Sequence, residues 1–233
     1  MPMEYVEHEQ HCAVLNTDFQ VWKWDEEKAR RLLQDKFSWF LPTYDSYKHK
    51  IQQVDAARYF ILYEYGGLYM DADLECLKPF EDYFNEAKVY IVAEMNQILP
   101  FTFNNFLLAS PPKHRFWWTV FDLLHTDKTA WHHFRSLHIL YSTGPGLIEK
   151  AYLVYDHKEH FVILSKDKFN PCNACGTCIP KPQAFVTHHS KATWLPSTMD
   201  KFLIAVTCSW KRLLLACAIC LALFVALLYW LLL

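Results

Sequence analysis

The chain has 233 residues, room for one domain of ordinary size. Lys and Arg number 23 against 25 Asp and Glu, a formal charge of -2, so no broad cationic field exists to hold a polyanion by counterion release, and nucleic acid is not expected as a partner. Disorder is excluded as well, because 17 Phe, 13 Tyr and 9 Trp offer far more buriable surface than a disordered chain carries.

The chain opens on a polar stretch, MPMEYVEHEQHC, without the apolar run of a signal peptide. Phe19 to Trp24 (FQVWKW) reads as a strand, and Asp25, followed by Glu26 and Glu27, reads as the cap of a helix with Arg30 and Arg31 toward its C-terminal end. A largely buried helix is predicted from Gln52 to Tyr65, apolar or aromatic on nearly every side, and Gly66 with Gly67 ends it. A short strand follows at Leu68 to Met70, then another from Val89 to Ala93. Ser110 before Pro111 and Pro112 reads as a helix start, with Phe116, Trp117, Val120, Phe121 and Leu124 continuing at amphipathic spacing. Leu147, Ile148, Ala151, Tyr152 and Tyr155 mark one more helix, and Phe161 to Leu164 and Ala184 to Thr187 two late strands. Alternation of strand and helix signals predicts an α/β domain.

At the C-terminus, residues 213–233 read LLLACAICLALFVALLYWLLL, with no charge, Gly or Pro. As a helix this run spans about 31 Å, the thickness of a bilayer's hydrocarbon core. A single transmembrane helix is therefore predicted, with Lys211 and Arg212 before it and Tyr229 and Trp230 near its far end as interface anchors. By the positive-inside rule the two basic residues place the folded part on the cytoplasmic side. Residues 1–200 are expected to form the folded domain, 201–212 a juxtamembrane linker and 213–233 the anchor.

Eight cysteines need an account. Cys172, Cys175 and Cys178 form C-x2-C-x2-C, a spacing open to zinc, to a disulfide or to free loop thiols; an iron-sulfur run lacks its fourth Cys, since Pro182 stands there. Cys217 and Cys220 lie in the anchor as small apolar residues, and Cys208 sits where palmitoylation occurs.

Asp71 and Asp73 follow the strand at Leu68 to Met70. In extended chain, residues two apart face the same side about 6.5 Å apart, so the pair can share a hard divalent cation that keeps positions for water and phosphate oxygens. A cation held there neutralises the charge that grows on a departing diphosphate. The D-x-D string alone reads more readily as a solvated turn. Its context is DAARYFILYEYGGLYMDAD, in which Asp55, Arg58 and Leu62 share one helical face and Tyr69 shares the side of the two carboxylates. Asp55 and Arg58 could simply form an i,i+3 ion pair.

The segment YKHKIQQVDAARYFILYEYGGLYMDADLECLKPFEDYF resembles the sugar-binding D-x-D region of retaining glycosyltransferases, the family of the fungal mannosyl phosphorylinositol ceramide synthases and the initiating α-1,6-mannosyltransferase. The likeness is specific from Trp24 to about Phe84, continues loosely through Asn104 to Trp117 and Ser142 to Gly146, and ends at HHSKATW, His188 to Trp194. The resemblance implies a GT-A type, Rossmann-like nucleotide-sugar domain and a hexosyltransferase moving mannose from GDP-mannose, or a hexose from a UDP-sugar, to a lipid or glycan acceptor such as inositol phosphorylceramide. It implies that Asp71 and Asp73 hold Mn²⁺ or Mg²⁺, that Asp55 and Arg58 contact the donor sugar and phosphate as catalytic and donor-binding residues, and that Tyr69 lies along the nucleotide. His188, in preference to His189, joins the metal or diphosphate from the other side, with Trp194 nearby. A single-pass membrane protein of the Golgi or ER follows from the anchor and the family together. Two departures stand out: the family's usual first strand, Ile-rich with a His-Gln-x-Trp type motif, has no counterpart before Phe19, and its Ser-Trp appears as Thr193-Trp194. The missing strand leaves open a second reading, a catalytically silent nucleotide-sugar-binding or scaffold protein.

Overall fold

The computed structural model describes residues 3–93, 103–126, 135–171 and 181–189, all within one compact unit, Met1–Ala192. In chain order the described helices are α1 (Met3–Leu15), α2 (Glu26–Lys36), α3 (Leu41–Ser46), α4 (Lys50–Tyr65), α5 (Phe116–Thr126), α6 (Arg135–Ser142), α7 (Pro145–Val154) and α8 (Lys166–Phe169). The strands are β1 (Gly67–Met70), β2 (Leu74–Cys76), β3 (Val89–Ala93), β4 (Phe103–Ser110), β5 (Phe161–Leu164) and β6 (Val186–His188). Strands β1, β4, β3 and β5 lie side by side in that order; β4 runs antiparallel to β1 and β3, while β5 is parallel to β3. A separate antiparallel ribbon pairs β2 with β6. The class is α/β with a mixed sheet.

Local chemistry explains the elements that flank the carboxylates. Asp25 caps α2 by accepting the Lys28 backbone N–H at 2.8 Å, and Ala29, Leu32 and Leu33 turn its apolar side to the core. On α4, Gln52 and every residue from Asp55 to Leu62 are buried, which is why apolar residues appear all round it. The helix stops at Gly66, whose φ is 68°, and a Cβ there would stand 2.6 Å from Pro112 and 2.9 Å from the Ser110 carbonyl oxygen. Glycine is therefore required by both backbone angle and space, and this close approach starts β1 alongside the end of β4.

Two apolar layers follow from the alternation of β3. Val89 and Ile91 join the larger cluster with the aromatic residues of α4 and α5, where Phe60 and Phe121 stack with centroids 4.0 Å apart. Tyr90 and Val92 face the other way, into a smaller cluster with Leu74, Cys76, Phe80, Phe169 and Val186. β4 is interrupted: between Ile91↔Leu108 and Ala93↔Phe103, two steps on β3 face five on β4, a bulge that takes Asn105 out of the ladder.

Several sequence expectations need correction. Phe19 to Trp24 is extended but pairs with no strand among the described residues; its rings pack instead, Trp22 and Trp24 on Tyr65 and Phe19 on Phe80 and Phe84. Ser110 ends β4 rather than starting a helix: its hydroxyl accepts the Trp117 indole N–H at 2.9 Å, and α5 begins six residues later at Phe116. The late strand is Val186–His188 rather than Ala184 to Thr187. The polar N-terminal stretch forms α1, tied to β2 by a Cys12–Cys76 disulfide and to the core by Asn16, whose side-chain oxygen accepts the Phe80 backbone N–H at 2.8 Å.

Among the described residues no helix is long and apolar enough to cross a membrane. The helix expected at 213–233, the linker at 201–212, the Cys172, Cys175 and Cys178 run, Cys208, Cys217, Cys220, Thr193 and Trp194 all lie outside the described residues.

Candidate functional site

The middle of α4, through Arg58, together with β1 and the open end of the β2–β6 ribbon, converges on Asp71 and Asp73. These carboxylates do not sit on an extended strand as expected. β1 ends at Met70, the Leu74 N–H returns to the Asp71 carbonyl at 3.2 Å, and the chain turns. Outside that turn the backbone is fixed by neighbours: the Asp71 N–H donates to the Phe106 carbonyl at 2.8 Å and the His189 N–H to the Asp73 carbonyl at 3.1 Å. Closing the turn draws one ligand atom each from Asp71, Asp73 and His188 within 4.8 Å of one another, all three side chains partly exposed.

His188 lies 3.3 Å from Asp73 through Nε2, and its ring rests on Phe106 with centroids 4.3 Å apart. His189 turns elsewhere, to Glu75 at 3.0 Å. Of the two adjacent histidines, His188 is the one placed beside the D-x-D pair. Two carboxylates and one imidazole are a donor set that suits a divalent cation of the hard to borderline kind.

Beneath this edge lies a buried ionic layer. Arg58 is 1% exposed and Asp55 4%. The Arg58 guanidinium contacts Asp55 at 2.8 Å and Asp71 at 3.1 Å, donates to the Asn105 carbonyl at 2.6 Å, and lies 4.6 Å from the centroid of the Tyr69 ring. Tyr69 in turn donates its hydroxyl to Asp71 at 2.9 Å. Asp55 is met from two further sides: by the Asn105 amide at 3.0 Å and the Thr143 hydroxyl at 3.2 Å. The Tyr59 hydroxyl closes the layer, accepting from Asn105 at 3.1 Å and donating to the Thr143 carbonyl at 2.6 Å. Asp55 and Arg58, expected at the donor sugar and phosphate, thus lie under Asp71 and are enclosed by protein.

The charges follow from this enclosure. Burial pushes the Asp55 carboxyl up to about 6, with Arg58 the strongest force holding it down. Asp71 is raised by burial, against the pull of Arg58 and the Tyr69 hydrogen bond. Burial alone would lower the Arg58 guanidinium, but Asp71, Tyr69 and Asp55 together raise it above its ordinary value, so it stays charged. One cation therefore serves two carboxylates, and only Asp71 reaches from this layer to the open edge.

Three residues of the layer escaped sequence reasoning as site residues: Asn105, Thr143 and Tyr59. Thr143 lies inside the STGPG string that carries part of the resemblance, which was a usable signal. Asn105 and Tyr59 also fall in stretches that carry the resemblance, but Asn105 reaches Asp55 only because of the bulge in β4, and Tyr59 is one aromatic among many on α4.

Residues 2–97 match the family described as glycosyltransferase sugar-binding region containing DXD motif, a span that includes Asp55, Arg58, Tyr69, Asp71 and Asp73 but not His188. Among curated relatives, inositol phosphoceramide mannosyltransferase 1 of Schizosaccharomyces pombe is 32% identical over 149 residues, 62% of this chain and 44% of that protein. A mannosyl phosphorylinositol ceramide synthase of Saccharomyces cerevisiae is 30% identical over 155 residues, 66% of this chain and 40% of its own length. The chain spans less than half the length of these fungal relatives. An uncharacterized glycosyltransferase of Acanthamoeba polyphaga mimivirus is 26% identical over 206 residues, 84% of this chain and 78% of that one. The solved PaToxG glycosyltransferase covers 68% of this chain and 64% of its own at 14% identity, with a TM-score of 0.44. Residues 2–97, the part of the chain that carries the D-x-D turn, are thus similar to the DXD-containing glycosyltransferase sugar-binding region.

Proposed function

We propose that the chain is a retaining hexosyltransferase of the GT-A type that moves mannose from a nucleotide sugar to a lipid acceptor of the inositol phosphoceramide kind. The observation that carries this reading is the meeting of Asp71, Asp73 and His188 at one partly exposed edge, with Asp71 aligned from below by Arg58 and Tyr69. Mn²⁺ or Mg²⁺ bound by these three residues supplies neutralisation of the charge on the departing diphosphate. The chain's own groups prepare that edge. Tyr69 and Arg58 both contact Asp71 Oδ1 and leave its second oxygen for a ligand. Asp55, Asn105 and Thr143 keep Arg58 in place, so Asp55 and Arg58 act in this reading as positioning residues. No side chain is nominated as nucleophile; the acceptor hydroxyl attacks from the side the diphosphate leaves.

The acceptor and the sugar rest on the names of the fungal relatives, which act on inositol phosphoceramide. Anchoring by residues 213–233 in a Golgi or ER membrane fits a lipid acceptor, since it holds the chain on a membrane where such lipids reside. The Cys12–Cys76 disulfide supports a luminal position for the folded part, because such bonds persist in oxidising compartments. That is the side opposite to the one given by Lys211 and Arg212.

The test offers GDP-mannose or UDP-hexoses to the full-length chain in detergent, with Mn²⁺ or Mg²⁺, and inositol phosphorylceramide against soluble mannosides as acceptors. Transfer from GDP-mannose to the lipid, abolished by EDTA, is expected. Transfer to soluble sugars alone would remove the lipid assignment. Donor binding without turnover on any acceptor would replace the enzyme with the silent binding protein.

A further inference from the structure

A second cluster of ligating side chains lies where α1 crosses the β2–β6 ribbon, and the D-x-D edge uses none of them. His8 of α1 stacks on His189, ring centroids 4.8 Å apart and planes 19° from parallel. His189 Nε2 is 3.0 Å from Glu75 Oε2 on β2. One ligand atom each from His8, Glu75 and His189 lies within 4.8 Å of the others. His8 Nε2 is buried without a hydrogen-bond partner, an uncommon state for a polar atom, and the nearest carboxylate on its own helix, Glu4, stands 3.8 Å away.

We infer that His8, Glu75 and His189 form a second metal site, selective for zinc, that pins α1 to the β2–β6 ribbon. Two imidazoles and one carboxylate are a ligand set that zinc takes in tetrahedral geometry, with arms of about 2.0 to 2.2 Å and hence edges of about 3.3 to 3.6 Å. The His189 to Glu75 separation of 3.0 Å is already within a few tenths of an ångström of such an edge. His8 has the rest of the distance to close, which turns its ring out of the near-parallel stack on His189 so that both in-plane lone pairs meet at one point, and its Nε2 has no hydrogen bond to break in doing so. The fourth position faces Glu4 or water. This set is the reverse of Asp71, Asp73 and His188, where carboxylates outnumber imidazole and a harder cation is favoured.

The placement on α1 supports a clamp. Glu4, His8 and Cys12 recur every four residues and so fall along one face of the helix, and Cys12 on that face is already bonded to Cys76, the residue after Glu75. Helix α1 contributes no fully buried residue, only the partly buried Cys12 and Leu15 against the smaller cluster, so cross-links of this kind reinforce a thin apolar contact. His189 directly follows His188, and the same clamp therefore steadies the strand end that delivers His188 to the D-x-D edge. The inference stands whether or not the chain transfers sugar.

The test measures zinc stoichiometry of the full-length protein after chelation and desalting, by equilibrium dialysis at micromolar free Zn²⁺ with elemental analysis. Because Cys172, Cys175, Cys178 and the D-x-D edge can also take up zinc, the reading is a difference. His8→Ala and the near-isosteric Glu75→Gln should each bind one zinc ion per chain fewer than the parent, both in the wild type and in an Asp73→Asn background. Zinc should raise the melting temperature of the parent by several degrees and leave both variants unmoved by comparison. Unchanged stoichiometry in either variant overturns the site, and so does a loss that disappears in the Asp73→Asn background, since the ion would then belong to the D-x-D edge.

Discussion

Helix α4 is shared by two regions built on opposite rules. On one side Phe60 stacks on Phe121 and touches Phe37, Phe40 and Trp39, with no ionised group among them. On the other, Asp55 and Arg58 engage carboxylate, amide and hydroxyl groups under the D-x-D turn. The aromatic side supplies stability without orientation, since apolar contact is non-directional. The ionic side supplies orientation at a cost in desolvation that its own partners only just offset. Because both sides are buried, the helix must be apolar where a surface helix would be polar, and the active edge inherits the rigidity of the core.

Breaking the two sides separately should produce different signatures. Phe60→Ala is expected to lower stability by about 3 to 5 kcal/mol through a core cavity, while the folded fraction keeps its donor affinity. Urea unfolding together with a donor titration checks this. Arg58→Ala should cost a similar amount, about 3 to 5 kcal/mol, because Asp55 is left buried and unpaired, and it should also disable turnover by freeing Asp71. A normal turnover number in folded Arg58→Ala would detach the ionic layer from the chemistry. Asp73→Asn, at the partly exposed edge, is expected to reduce turnover about 10² to 10³-fold, with little change in melting temperature.

Acidity sharpens the same contrast at lower amplitude. Asp55 moves from its ordinary 3.8 up to about 6 on folding, so the folded state binds its proton more tightly than the unfolded state does. Its contribution to stability is complete below pH 3.8 and is lost as pH rises through 6, a change of up to about 3 kcal/mol. Asp55→Asn should flatten that part of the stability profile, measured by denaturant unfolding at pH 4 and pH 7. The smallest effect is expected far from both regions: Asp25→Ala removes the cap of α2 and should cost about 1 kcal/mol without touching activity.

Short-range signals were the legible ones. The cap at Asp25, the buried run of α4, the double glycine and the D-x-D pair each announce themselves within a few residues, and the structure keeps all four. What stayed hidden depends on partners distant in sequence. FQVWKW is rich in the aromatic and β-branched residues of strands, yet a chain becomes a strand only beside another, and its rings found Tyr65, Phe80 and Phe84 instead. β4 was missed because seven of its eight residues are buried on one face or the other, which erases the alternation that marks a half-exposed strand. Ser110-Pro111-Pro112 has the composition of a helix start, but the serine hydroxyl serves Trp117. α1 offered only a thin core-facing stripe to detect, since a disulfide 64 residues long in sequence holds it beside the partly buried Cys12 and Leu15.

That disulfide also divides the candidate site by connectivity. Residues 12 to 76 form a closed covalent ring, and Asp55, Arg58, Tyr69, Asp71 and Asp73 are all links of it. A protease cutting the connection between α1 and α2 would open the ring, and a reductant would then release α1 while these five residues stay on one polypeptide. His188 lies outside the ring, and at its own strand it reaches the carboxylates through the three-residue pairing of β2 with β6. The third corner of the D-x-D edge is therefore held by non-covalent pairing alone, whereas the two acids are links of one covalent ring.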